Sequence, residues 1–451
     1  MAWLRREPTG VGDLTVRAVL FKGTRDLLPI YALYGVLFAD HGLSTAQISL
    51  LLAIWSVTAF LLEVPSGAWA DTVSRRGLLV LSCVLQAACF ALWMLAPSFA
   101  GFALGFLVWG VAGALESGTF EALIYDDLVA RDEPSAYARI MGWARGAQES
   151  TVLVAIVAAA PLFAVGGYAL VGWVSVGVGL LHTLTALALP SAPVAISATA
   201  VDDLDDLDDE PAPGPVPHVK PGAVPAVAPQ TDSPGSTASR YLVMLKTGLS
   251  EALHVRRVRR GVLLGALLYG VTAFDEYFGL LAVSGGASTS TSALLVGVTV
   301  AGSLIGSLLA GRTEVVSSRT LAIALFVAGI LFIAGALSVG VAAGPMLVWV
   351  GFVGIGIAYG IDFNAEVIAG ARLQDAIEGP ARATVTSVSG LLSEIVALGV
   401  FAFVAAATQW FAMSTTIAML GSVLLVAAVL TPSWLPPRDV AARDRTENET
   451  P

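Results

Sequence analysis

Glu63 to Arg76 reads EVPSGAWADTVSRR, a polar turn wedged between two apolar stretches. Its fixed points are Gly67, Asp71, Arg75 and Arg76, in the spacing G-x-x-x-D-x-x-x-R-R. The apolar runs on either side are each about twenty residues long, the length a helix needs to cross the hydrocarbon core of a bilayer. The turn is therefore read as a loop between two membrane-spanning helices.

Working outward, the whole chain repeats this pattern. Of its 451 residues 56% are hydrophobic and only 13% charged, which separates it from soluble domains. Runs rich in Ala, Leu, Val and Gly suit helices, which satisfy their own backbone in lipid; the short alternating segments of an outer-membrane barrel are missing. The fold class is an all-α membrane protein with twelve transmembrane helices, at about 16–39, 45–66, 77–96, 99–125, 138–164, 167–189, 261–283, 290–311, 319–341, 345–370, 383–408 and 411–431. Lys and Arg give an independent check, because they collect on the side that is not translocated. Arg75, Arg76, Arg131, Arg139, Arg256, Arg260, Arg312, Arg319, Arg372 and Arg382 fall on one side, while the opposite loops near 40–44, 97, 165, 285, 343 and 409 hold neither residue. Both termini are expected to be cytoplasmic, in a bacterial cytoplasmic membrane, and no removable signal peptide is read at MAWLRREPTG.

Six spans come before and six after a stretch of different composition. Residues 191–240 carry DDLDDLDDE and many prolines and are expected to form a disordered linker. Residues 241–260, ending in RRVRR, read as a basic amphipathic segment on the anionic leaflet. The expected organisation is a six-helix bundle at 1–190, the linker at 191–240, the basic segment at 241–260, a second bundle at 261–431 and a tail at 432–451. The acidic run accounts for much of the net charge of −10, so the basic footprint of a nucleic-acid binder is absent. Weak echoes link the halves: GTFEA ends at Ala122 and IDFNA at Ala365, while Arg139, Gly146 and Glu149 parallel Arg382, Gly390 and Glu394.

The opening motif and the six-linker-six plan together resemble the major facilitator superfamily of transporters over nearly the whole chain. In that family the motif joins helices 2 and 3 and helps hold the cytoplasmic side closed. The resemblance implies a latch of Gly67, Asp71, Arg75 and Arg76, with Asp71 facing the positive end of span 11 near Ala383 and Arg75 or Arg76 pairing with Asp126 or Asp127. Topology plus a turn is the alternative reading, and it explains the arginines but not the Gly and Asp. The second-half counterpart GSLLAGR has Ala310 in place of the acid, so the latch is expected to be one-sided. EVPSG at 63–67, SGTFEALIYDD at 117–127 and ARATVTSVSGLLSE at 381–394 resemble a bacterial drug or small-molecule efflux branch. Trp109, where proton-coupled drug antiporters usually have Arg, and AAPLFAVGG in span 5 depart from that branch.

Charged groups at membrane depth are costly unless they face a cavity or each other, which makes them the candidates for substrate and proton binding. In the first half these are Lys22, Arg25 and Asp26 in span 1, Glu116 in span 4, and Arg145 with Glu149 in span 5; Arg25–Asp26 and Arg145–Glu149 are expected as ion pairs. The second half offers acids alone: Asp275, Glu276, Asp362, Glu366 and Glu394. Glu394 and Asp275 lead as proton carriers. The bland alternative for any one of them is a carboxyl bonded to a hydroxyl or backbone group. Phe274, Tyr277, Phe278, Trp109, Trp143 and Tyr359 could stack on an amphipathic or cationic substrate, or simply pack.

Enzyme readings find no support: His41, His182, His218 and His254 lack metal-ligand spacing, Cys83 and Cys89 read as packing residues, and no Walker loop or dinucleotide fingerprint occurs. No cofactor is expected. The reading is a secondary active transporter that moves a small molecule by alternating access, by proton-coupled export (antiport), and acts as a monomer in the lipid bilayer without a nucleic-acid partner. Nutrient uptake by the same fold and a non-transporting membrane sensor or scaffold are the alternatives.

Overall fold

Pro29 decides the shape of the first crossing. It has no N–H to donate and disfavours helix in the residue before it, and Leu28 is accordingly extended at φ −114 and ψ 97. Helix α1 (Val11–Arg25) therefore stops at Asp26, and the chain resumes through a 3-10 turn (Pro29–Ala32) into α2 (Tyr34–Asp40). This computed structural model describes residues 10–191, 255–341, 344–377 and 382–437, leaving out the side chains at 64, 68, 71, 382–384 and 387. The acidic linker, most of the expected basic segment and most of the tail lie outside the described residues.

The first half continues with α3 (Thr45–Thr72), α4 (Arg75–Leu95), α5 (Phe99–Glu116), α6 (Thr119–Val129) and α7 (Tyr137–Ala188). A straight helix of 52 residues would run about 78 Å, more than twice the hydrocarbon thickness of ~30 Å, so α7 has to turn. It does so at Gly166 and Gly167, the latter at φ 58, and supplies two crossings. The second half holds α8 (Arg256–Val271), a 3-10 turn (Thr272–Tyr277), α9 (Phe278–Ser284), α10 (Thr289–Thr313), α11 (Ser318–Val339), α12 (Pro345–Ala376), α13 (Arg382–Ala407) and α14 (Met413–Trp434). Among the described residues, ten helical stretches are long and apolar enough to span a membrane. Counting the folded α7 twice and adding the broken α1–α2 crossing gives the twelve expected from sequence. One boundary moves: the RRVRR run belongs to α8 itself, because helix begins at Arg256.

A clearer repeat than the one read from sequence joins the two halves. YGVL at 34–37 and FGLL at 278–281 begin two helices of seven residues each, α2 and α9. Each is followed by a glycine at φ +86, Gly42 or Gly286, and by a serine N-cap, Ser44 or Ser288. By contrast GTFEA marks a break in span 4, where Gly118 takes φ +67, while IDFNA lies within the unbroken α12.

Small residues set the closest packing, as they do between helices in lipid. Gly302 and Gly306 of α10 meet Gly356 and Gly360 of α12 backbone to backbone, and a Cβ at Gly306 would overlap the carbonyl of Gly360. Gly306→Val is therefore expected to destabilise the fold by about 1–3 kcal/mol or more. Thermal unfolding of the purified protein checks this; an unchanged midpoint would mean that the two helices do not meet there.

Candidate functional site

The three broken crossings place polar groups near mid-membrane. Asp26 caps α1, and Glu116 ends α5 just before the Ser117–Gly118 break. Arg25 Nε lies 2.7 Å from Glu116 Oε1, and Lys22 Nζ lies 3.1 Å from the same oxygen and 3.3 Å from Glu121. Lys22 also sits 4.6 Å over the ring of Phe120. Asp26 accepts from Arg25 at 2.9 Å, from Tyr31 at 3.0 Å and from Gln148 at 2.6 Å. Two cations and three carboxylates from spans 1 and 4 thus form one network, reached from span 5 by Gln148. Charges removed from water need such partners and hydrogen bonds together.

Arg145 and Glu149 are both exposed and make no direct ion pair among the described residues, so the close pair expected from their spacing is not formed, although Arg145 and Asp26 both lie within electrostatic reach of Glu149. The span 5 residue that reaches the network is Gln148, one position from Glu149, so a rotation of about 100° on the helix separates the two. His182 is a further residue that sequence reading set aside: it is buried, and its Nδ1 is 3.0 Å from the Thr24 hydroxyl.

In the second half Asp275 accepts from the Tyr359 hydroxyl at 2.6 Å. Asp275 and Glu276 line a small cavity with Tyr31, Tyr34 and Gly35 of the first half, where the two broken crossings meet. Asp362 is fully buried, and Glu366, one turn further along α12, is partly buried. Glu394 accepts from the Ser56 hydroxyl across the seam between α3 and α13. A second bond across the halves joins Ser49 and Tyr277 at 2.7 Å. Gly297 approaches Ile156 and Val157, and Gly279 approaches Val36. These contacts lie at mid-membrane or toward the arginine-free side.

The aromatic candidates divide. Phe274, Tyr277 and Phe278 are buried in packing, and Tyr359 is nearly so. Trp109 stacks on Tyr31 at 5.3 Å beside the Asp26 network, and Trp143 is exposed.

At the opening motif, Arg75 Nη1 is 2.6 Å from Asp126 Oδ2, and both are buried. Asp127 instead pairs with Arg131 at 2.5 Å, and Arg76 reaches the carbonyl of Leu189 at 3.4 Å. Gly67 is buried within α3; the side chain of Asp71 and those near Ala383 lie outside the described residues. Removing one partner of a buried ion pair costs about 3–5 kcal/mol, so Arg75→Gln is expected to lower the unfolding midpoint well beyond Arg76→Gln. Equal midpoints for the two variants would contradict a role for the pair.

Two six-crossing halves, closed on one face and carrying charged groups at mid-membrane, define a membrane carrier of the two-bundle type. The chain belongs to the Major Facilitator Superfamily, whose family profile matches residues 23–396. No curated relative matches its sequence. Among solved structures it is similar to a point mutant of the nucleoside transporter NupG, at 12% identity and TM-score 0.64, over 93% of this chain and 98% of that one. It is also similar to a bacterial homologue of the human lysosomal transporter Spinster in an inward-facing, occupied conformation, at 16% identity and TM-score 0.63, over 93% and 95%. The same homologue, inward-facing and unoccupied, gives TM-score 0.55 at 18% identity, over 94% of each chain. The protein is a transporter and not an enzyme.

Proposed function

We propose that the protein couples proton movement to the export of a small molecule, as an antiporter in a cytoplasmic membrane with its arginine-rich face toward the cytoplasm. The carrying observation is the unequal distribution of charge between the halves. First-half carboxylates at depth are met by Lys22 and Arg25, whereas the second half has no Lys or Arg between Arg260 and Arg312 or between Arg319 and Arg372. A carboxyl group at that depth without a cation is suited to binding and releasing a proton as access alternates. Gly67, Asp71, Arg75 and Asp126 act in this reading as the latch on the cytoplasmic face, with Arg76 and Asp127 as neighbours that make their own local contacts.

Uptake of a metabolite is the second reading, favoured by the likeness to a structure named as a nucleoside transporter. One experiment decides between them. A compound chosen because it stabilises the purified protein against heat is followed into proteoliposomes under a pH gradient imposed in either sense. Export by antiport predicts that the compound accumulates against the proton flow; accumulation with it indicates uptake by symport. Indifference to the gradient rejects proton coupling.

A further inference from the structure

Asp362 has no role in the seam or in the first-half network, and its environment is unusual. It is 0% exposed, and neither carboxyl oxygen has a hydrogen-bond partner among the described residues. A carboxylate in that position would be shut off from bulk water and have no donor among the described residues, a costly arrangement for a charge. The neutral acid removes the charge.

Its neighbours form a line. Tyr359, Asp362 and Glu366 stand at i, i+3 and i+7 on one face of α12. Tyr359 donates to Asp275, which borders the cavity between the two broken crossings. At the other end Glu366 is partly buried, with Oε2 unpartnered among the described residues. Glu366 lies within electrostatic reach of Tyr269 on α8, as do Asp275, Glu394 and Glu63, and Tyr269 is 57% exposed. Gly306 meets Gly360 and Thr313 bonds Asn364, so Arg312 of α10 comes level with Glu366, but it is exposed and makes no ion pair with it among the described residues; Arg372, further along α12, is buried and donates to the carbonyls of Glu314 and Val316, and Arg319 stands at the start of α11.

We propose that Asp362 is the buried proton station of the second half, emptied through Glu366 toward the arginine-rich side and refilled from Asp275 through Tyr359. In emptying, the Asp362 and Glu366 side chains, one turn apart and not bonded to each other in this structure, come together, and the O–H bond of Asp362 breaks as one forms on the Glu366 carboxylate. In refilling, the Tyr359 hydroxyl swings from Asp275 toward Asp362, its O–H bond breaks as one forms on the Asp362 carboxylate, and the Tyr359 oxygen takes the proton of protonated Asp275. One proton moves in each step and nothing is oxidised. This inference rests on the proton-coupled reading above and assigns its path.

Infrared spectroscopy of the reconstituted full chain tests it without any substrate. Because other acids of the second half also lack a cation, the reading is the wild-type minus Asp362→Asn difference spectrum at neutral pH, in which the carbonyl band of one protonated carboxyl in an apolar site is expected. In Glu366→Gln the band is expected to persist, with its shift in D2O slowed about tenfold or more, a barrier rise near 1.4 kcal/mol. Tyr359→Phe, on the far side, should keep the wild-type exchange rate. Should Asp362→Asn fail to fold, labelling of wild type by dicyclohexylcarbodiimide, read by peptide mass spectrometry, is expected at Asp362. A difference spectrum without that band, absence of the label at Asp362, or Glu366→Gln exchanging at the wild-type rate overturns the proposal. A wild type that ignores pH gradients in flux would sink the coupling reading instead, with the band still present.

Discussion

Glu116→Gln is expected to lower the stability of the folded protein by about 3–5 kcal/mol, or roughly 5–10 °C in unfolding midpoint. The glutamine keeps the shape of the side chain and removes its charge. Lys22 and Arg25, 3.1 and 2.7 Å from the same carboxylate oxygen, then share Asp26 and Glu121 as their remaining anions. Two cations against two carboxylates are formally balanced, but the charge that both contact is gone, and one of the two acceptor oxygens has become an N–H donor facing the cations. Arg145→Ala serves as the comparison. Arg145 is exposed and in no ion pair among the described residues, so its loss is expected to change stability by less than about 0.5 kcal/mol. Thermal unfolding in one detergent checks both, and similar midpoints for the two variants would show that the network contributes nothing to folding.

Glu394→Gln is expected to abolish accumulation driven by a pH gradient while leaving downhill exchange of the stabilising compound. Glu394 accepts the Ser56 hydroxyl across the two halves, so its protonation state bears directly on the seam. A hydrogen bond to an ionised carboxylate is about twice as strong as a neutral one, so neutralising the acceptor weakens the closed arrangement by about 1 kcal/mol, roughly fivefold in population. Glutamine fixes the neutral strength, and the proton then has no lever at this point. Counterflow and gradient-driven uptake in the same proteoliposomes separate the two activities. Retained concentration of the compound by Glu394→Gln would remove this residue from the coupling.

The sequence was legible where its signal was strong and local. Apolar length fixed the number of crossings, and the one-sided arginines set their order, because both act over twenty residues and tolerate errors of a few. The breaks were less visible. Pro29 announces the first, but the left-handed turn at Gly118 looks in sequence like any glycine in a span. Side-chain pairing was harder still. Arg145 and Glu149 sit four apart, a spacing that favours a pair on an isolated helix, yet the helix turns Gln148 toward Asp26 and leaves those two without a direct ion pair. Which face of a span looks inward depends on neighbours far along the chain, and on this chain the hydrophobic pattern says little because lipid and core are both apolar. The repeat of α2 and α9 was missed for a related reason: two glycines, one leucine and the serine cap are kept, while most residues between them differ.

The central claim is that one seam, bonded on the arginine-free side by Ser49–Tyr277 and at mid-membrane by Ser56–Glu394, opens in response to protonation. Spin labels at His41→Cys and Ser284→Cys, exposed positions at the ends of α2 and α9, report its width directly by pulsed dipolar distance measurement in liposomes. The account predicts two distance populations, with the longer one gaining weight as pH falls and dominating in Glu394→Gln at every pH. A single distance that ignores both pH and the substitution would contradict it.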